Sequence, residues 1–172
     1  MGTAQKTLYL VRHAKSSWKD PSLSDIDRPL NKRGRRSAPD MGGRMLTHNH
    51  LPELIISSPA NRARSTAGII AEQLGYEPAD IEIDDRLYFS GTAGMKRVIA
   101  ELDDSYGKVM LVGHNPDMTF LMNDLANSYV DNMPTCAVAV IGFDVASWAE
   151  LDSVDGYLIG YDYPKGPGTF SA

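Results

Sequence analysis

The chain has 172 residues, 42% of them hydrophobic and 23% charged, and a formal net charge of −5. This is the composition of a globular chain with one core, and its acidic balance excludes a broad basic face for nucleic acid or anionic membrane. The single cysteine, Cys136, excludes an internal disulfide framework and any multi-cysteine zinc site, and it fits a reducing compartment.

The N-terminal MGTAQKTLYLV has no long apolar leader, and its Gly2 fails the myristoylation pattern because Lys6 stands where Ser or Thr is required. No stretch nears the roughly 20 apolar residues of a membrane span, so the expectation is a soluble cytoplasmic protein. Residues 6–11 read as a buried strand that runs into Arg12 and His13. Asn31 is placed to cap a helix toward Thr47, with Pro39 and the pair Gly42 and Gly43 predicting a kink or a late start. Residues 54–56, followed by Ser57, form the second strand. A helical stripe at positions 63, 67, 70, 71 and 74 follows, stopped by Gly75.

Residues 81–83 are a weak third strand, 93–102 a helix and 109–112 a fourth strand. Residues 116–126 form a helix with Pro116 at its first position, and strands at 137–143 and 157–161 close the series. Strand–helix alternation predicts an α/β fold: a mostly parallel sheet with helices on both faces. The expected organisation is one domain over residues 1–172, with a loosely ordered Gly- and Pro-rich tail from about residue 163.

In such a sheet the carboxyl ends of parallel strands share one edge, where ligands bind. His13 follows the first strand, Ser57, Ser58 and Arg62 the second, and His114 the fourth. The topology therefore gathers Arg12, His13, Arg62 and His114. Two arginines and two histidines, with the helix starts at Ala60 and Pro116, make a donor-rich cationic pocket whose natural guest is a phosphoryl group. No Walker-type GxxxxGKS/T and no Gly-rich dinucleotide loop is present, which favours a phosphomonoester over a nucleotide. Neighbouring cations lower a histidine pKa, and an unprotonated imidazole in line with phosphorus is a nucleophile. Guanidinium groups then carry the positive charge that a metal carries elsewhere, so neither metal nor cofactor is expected.

The stretches LVRHAKSSW, SSPANRARSTA and LVGHNP, in this order, resemble the histidine phosphatase superfamily. LSDIDRPLNKRG, with the small size of the chain, is most similar to its SixA-type phosphohistidine phosphatase branch. The resemblance spans residues 8–161 and implies a phosphoglycerate mutase-like three-layer α/β/α fold. It implies His13 as nucleophile, and Arg12, Arg62 and His114 on the phosphate, with Arg28 as an additional contact. Larger members carry a glutamate that protonates the leaving oxygen. Here DDRLYFSG offers Tyr88 and Phe89 instead, leaving Asp25 and Asp27 as candidate proton donors. A phosphohistidine has a labile P–N bond and needs less help from an acid than an alkyl phosphate. The expected partner is a phosphorylated protein or a small phosphoester, with no nucleic acid, no membrane and an open oligomeric state. The alternatives are a small-metabolite phosphomonoesterase and an inactive phosphate- or phosphoprotein-binding module; the missing glutamate and the lack of a long insertion disfavour a mutase.

Other conspicuous residues read as structural. His48 and His50 lack supporting metal ligands and are assigned to the surface. Cys136 has Gly142 six positions on, not the arginine of a Cys-x5-Arg loop, and reads as a small buried hydrophobe. DIDRP resembles an aspartyl-phosphate motif only superficially, because it does not directly follow a strand. The KRGRR run reads as a solvated face that could meet an acidic protein surface. Trp18 and the loop 16–24 are expected at the pocket mouth.

Overall fold

The computed structural model describes residues 4–171; the Gly2 pattern and the last residue of the tail lie outside them. In chain order the elements are β1 (Lys6–Arg12), α1 (Lys32–Thr47), β2 (Leu54–Ser57), α2 (Asn61–Leu74), β3 (Glu82–Ile83), α3 (Gly91–Ala100), β4 (Lys108–Gly113), α4 (Asp117–Ala126), β5 (Val138–Phe143) and β6 (Tyr157–Asp162). The six strands form one sheet in the order β3-β2-β4-β1-β5-β6. β1, β2, β3 and β4 run parallel, and β5 alone is reversed, pairing antiparallel with both β1 and β6.

The near-continuous apolar runs of β1 and β4 follow from burial on both sheet faces. Leu8, Leu10, Val109 and Leu111 face one core with Met95 and Ile99 of α3 and Leu121 of α4. Tyr9, Val11, Met110 and Val112 face the other, with Met41 of α1 and Ile70 of α2. The result is the expected three-layer sandwich. No helix among the described residues is long and apolar enough to cross a membrane.

Several local expectations are corrected. α1, capped by Asn31 accepting from the Gly34 amide at 2.9 Å, runs unbroken through Pro39 and both glycines. Gly42 is a contact position, not a breaker: a Cβ there would lie 2.9 Å from the Gln73 Cβ, so its absence lets α1 pack closely on α2. α3 starts at Gly91 and ends at Ala100, two residues earlier than expected at each end, and Pro116 caps α4 from outside its first turn. β3 shrinks to two exposed residues at the sheet edge.

The tail is not loose. Phe170 is buried in the α1–α2 core, the Tyr161 amide donates to the Ser171 carbonyl at 3.2 Å, and Arg44 donates to the Tyr163 and Pro164 carbonyls at 2.8 Å each. One buried aromatic ring and one arginine hold a segment whose composition suggested disorder. His48 and His50 flank Phe170 at ring-centroid distances of 5.4 and 4.9 Å and so seat the tail.

Candidate active site

Strand register levels the site. Arg12 lies opposite Gly113, and Ser57 opposite Val112. His13, Ser58 and His114 are therefore the first residues past the ends of three adjacent parallel strands. Past these ends lies a pocket of about 290 Å3, lined by Arg12, His13, Arg28, Arg62, His114 and Asp25, with Trp18 and Phe89 also on its wall. The structure thus brings together Arg12, His13, Arg62, His114, Arg28 and Asp25. It leaves out Asp27, whose exposed carboxylate accepts from the Ser24 hydroxyl at 2.8 Å and takes no part in the pocket lining. The single helical turn Asp25–Asp27 explains the split, because consecutive residues of a tight turn point in different directions.

His13 is 8% exposed and His114 1%, with their ring centroids 5.1 Å apart. The Nδ1–H of His13 donates to the Ala14 carbonyl at 2.7 Å. A carbonyl can only accept, so the tautomer is fixed and Nε2 is left bare. The His13 pKa falls to about 4. Burial is the largest cause; the Ala14 hydrogen bond opposes it, and the charges of Arg62, Arg12 and Arg28 add to it. Desolvation thus outweighs the cationic neighbours that the sequence reading put first.

His114 is held at about 3, again by burial first and then by His13 and Arg62. Its Nε2 lies 2.7 Å from Ser58 Oγ, which also accepts from the Ala60 amide at 3.2 Å. The Ala60 amide already donates to Oγ, and among the described residues Nε2 is the one acceptor in reach of the Ser58 hydroxyl, so that hydroxyl donates to it and the imidazole proton sits on Nδ1. Among the described residues, four buried side-chain nitrogens lack any partner, and the residues that carry them all line this pocket: Arg12 Nε, Arg28 Nη1, Arg62 Nε and His114 Nδ1. Unpaired buried donors are costly, and four of them on the residues of one pocket match an anion with several acceptor oxygens.

Asp25 organises two of these donors. Arg62 donates to its carbonyl at 2.6 Å and to its Oδ2 at 2.9 Å, Arg28 to its Oδ1 at 3.2 Å, and the Tyr88 hydroxyl to its Oδ2 at 2.6 Å. Burial raises the Asp25 pKa, but the hydrogen bonds from Tyr88 and Arg62 and the charges of Arg62 and Arg28 override it, leaving about 2. Both carboxylate oxygens thus accept hydrogen bonds and the ionised form is favoured, which is the arrangement of a counter-ion to the two guanidinium groups. Arg28 also lies 3.5 Å from the centroid of the exposed Trp18 ring, a cation–π contact at the mouth.

Supporting residues escaped the sequence reading. Thr66 accepts from the Ala14 amide at 2.9 Å and donates to the Arg62 carbonyl at 2.7 Å, tying the loop after β1 to α2. Its position four residues after Arg62, on the same helical face, was the available signal. Ser58 was visible at a strand end, but its bond to His114 joins separate segments and left no local trace. Cys136 is buried with its thiol pushed up to about 12 by burial, and its amide donates to the Arg12 and His13 carbonyls at 3.0 and 3.1 Å. No cluster of three or more His, Cys, Asp or Glu side chains suited to a metal occurs among the described residues.

The sequence profile of the histidine phosphatase superfamily (branch 1) matches residues 8–88. An uncharacterised chloroplast protein of Arabidopsis thaliana is 32% identical over 161 residues, covering 88% of this chain and 72% of that protein. A crystal structure from Agrobacterium tumefaciens, assigned as the phosphohistidine phosphatase SixA, superposes with a TM-score of 0.79 at 29% identity, covering 93% of this chain and 99% of its own. The protein histidine phosphatase SixA in complex with tungstate shares the fold, with a TM-score of 0.73 at 21% identity over 92% and 97% of the two chains. With its three motifs gathered on one sheet edge, this chain belongs to the histidine phosphatase superfamily, on the SixA-type branch, and is a phosphatase.

Proposed function

We propose that the protein is a metal-independent phosphatase that works through a covalent phosphohistidine on His13, and that its substrate is phosphohistidine in a partner protein. One observation carries the reading: His13, whose Nε2 is left bare, lines one pocket with four residues that each hold a buried side-chain nitrogen without a partner. The Nε2 lone pair attacks phosphorus, and the bond from phosphorus to the leaving nitrogen breaks with its electron pair. N–H groups of Arg12, Arg28, Arg62 and His114 hold the equatorial oxygens, and the Ala14 carbonyl steadies the positive charge that forms on the His13 ring. Water then attacks phosphorus, His13 departs with its electron pair, and the water's proton passes to phosphate or solvent. The guanidinium groups supply the positive charge that a metal would otherwise bring. This reading takes residues 1–172 as one catalytic domain, since Arg12 and Thr135 wall the same pocket.

The substrate follows from the missing acid. Asp25 is ionised and pinned, and Phe89 occupies the wall beside His114 at a centroid distance of 4.8 Å. An imidazole protonated on its second nitrogen leaves as a neutral molecule and needs no general acid, whereas an alkoxide does. The similarity to the Agrobacterium tumefaciens protein points the same way. Trp18 and Phe89, 73% and 50% exposed, line the pocket and offer apolar surface to a protein partner.

The test is hydrolysis of an activated aryl phosphate in EDTA by wild type and His13→Ala, followed by comparison of a phosphohistidine protein with an alkyl phosphate. Turnover should survive EDTA, vanish in the variant, and favour phosphohistidine by about 100-fold or more in kcat/KM. Loss of activity in EDTA, or equal efficiency on the alkyl phosphate, would overturn the mechanism or the substrate respectively.

A further inference from the structure

Beside the catalytic pocket runs a second groove, lined by Ser17, Lys19, Pro29, Asn31, Lys32 and Arg35. The two share a wall. The Ser17 amide donates to the Pro29 carbonyl at 2.8 Å and the Asn31 amide to the Lys15 carbonyl at 2.9 Å, stitching the loop after β1 to the start of α1. Along that loop Ser16 and Trp18 face the phosphate pocket, while Ser17 and Lys19 face the groove. Gly34 allows the close fit, because a Cβ there would collide with the Lys15 carbonyl oxygen.

The cations at this rim are not neutralised from within. Lys19, Lys32 and Arg35 of the groove, with Arg33 and Arg36 beside them and Lys15 on the wall of the catalytic pocket, are all exposed, and none of them forms an ion pair with a described carboxylate; Arg35 donates to the neutral Leu30 carbonyl at 2.9 Å. The neighbouring Asp20 is engaged with Ser22, accepting from its amide and its hydroxyl. Lys32, Arg33, Arg35 and Arg36 also occupy four of the first five positions of α1, which has no acidic residue in its first turn. Cations at a helix N-terminus oppose the macrodipole, so these four reduce the stability of their own helix. In a chain of net charge −5, an unpaired and destabilising cluster of cations at the rim of a catalytic pocket is the signature of an external anionic partner.

We infer that this groove docks an acidic surface of the phosphorylated partner protein and so presents its phosphohistidine to His13. The inference rests on the phosphohistidine reading above. A nucleic acid or an anionic membrane suits it less, because the patch is local and the rest of the acidic chain would be repelled by an extended polyanion. An acidic protein patch matches its size, and the exposed Trp18 between groove and pocket is placed to touch the same partner.

The double variant Lys32→Glu/Arg36→Glu tests this, since neither residue belongs to the catalytic pocket. Its fold is safeguarded, because acidic residues suit a helix start; Tm should rise by about 2–4 °C. Substrates are an activated aryl phosphate and two chemically phosphorylated histidine-containing proteins, one acidic and one basic. Aryl phosphate turnover should be unchanged, while kcat/KM on the acidic phosphoprotein falls by about 10- to 100-fold. Wild-type efficiency on that substrate should fall steeply with added salt, and the variant's should not. Equal efficiency of variant and wild type on the acidic phosphoprotein overturns the docking site and leaves the phosphatase reading intact. Wild type that hydrolyses the aryl phosphate but neither phosphoprotein overturns the substrate reading and the docking site with it. Binding of wild type, but not of the variant, to RNA or phosphatidylserine vesicles, without an effect on phosphoprotein turnover, assigns the groove to another occupant and overturns it too.

Discussion

Replacing Ser58 by alanine removes one hydroxyl and two buried hydrogen bonds. Ser58 is fully buried; its Oγ accepts from the Ala60 amide at 3.2 Å and lies 2.7 Å from His114 Nε2. Alanine leaves the amide and the ring nitrogen without partners in a space that a methyl group fills. At roughly 1–3 kcal/mol for each buried group left unpaired, and with some relaxation at the helix start, the cost is about 2–3 kcal/mol. For a chain of this size that lowers Tm by roughly 4–12 °C. The chemical effect is separate. Without the hydroxyl donating to Nε2, nothing holds the imidazole proton on Nδ1. Loss of a fixed donor to the phosphate should lower kcat/KM on an aryl phosphate by about 10-fold or more, even well below the melting temperature. Imidazole nitrogen NMR reports the tautomer directly: wild-type His114 should be protonated on Nδ1, and the variant should show exchange between both nitrogens. Full activity in Ser58→Ala, or a wild-type His114 protonated on Nε2, would refute this account of the site.

Other consequences can be checked in parallel. After correction for substrate ionisation, kcat/KM should hold down to about pH 4 and fall below it, as His13 protonates; an acid limb near 6.5 would contradict a buried nucleophile. Both pocket histidines have depressed pKa values, so the unfolded chain binds more protons than the native one below its own pKa of about 6.5. Stability measured by urea titration should therefore be fully present above that pH and decline as pH drops toward 4. Asp25→Asn should lower kcat/KM about 10-fold on activated and unactivated substrates alike, since its carboxylate positions Arg62 and Arg28; a loss confined to poor leaving groups would make it the acid after all. Phe89→Glu places a carboxyl group beside His114 and should raise alkyl phosphate hydrolysis about 10-fold relative to phosphohistidine hydrolysis, measured as a ratio of kcat/KM values. Phe170→Ala should cost about 3 kcal/mol of stability by denaturant titration while leaving turnover unchanged, because the ring fills the α1–α2 core far from the chemistry.

What the sequence revealed and what it hid divide along a physical line. Strands and helices came from periodicity, a local property, and parallel topology then placed His13, Arg62 and His114 together, because each follows its strand by a fixed number of residues. Register completed the alignment without any further signal. The errors were of another kind. Gly42 and Pro39 look like helix breakers in isolation, yet α1 passes through both, and at Gly42 the contact with Gln73 and Ile70 on α2 favours a residue without a side chain. The tail looks disordered by composition, yet Phe170 and Arg44 anchor it through partners far away in the chain. Tertiary contacts of this sort leave no periodic trace.

Asp25 shows the same limit in the site itself. Its residue type suggested an acid, but a carboxyl group is an acid or a counter-ion according to its neighbours, and those neighbours come from three segments: Arg28 in its own loop, Arg62 on α2 and Tyr88 before α3. Two of them are buried guanidinium groups, so the carboxylate is worth more as their partner than as a proton source, and its pKa moves accordingly. The pocket is thus strongly supplied with groups that stabilise a phosphoryl oxyanion and poorly supplied with groups that protonate a leaving atom. On the proposed mechanism, that imbalance would select among phosphorylated substrates by the basicity of what must leave, and imidazole leaves more readily than an alkoxide.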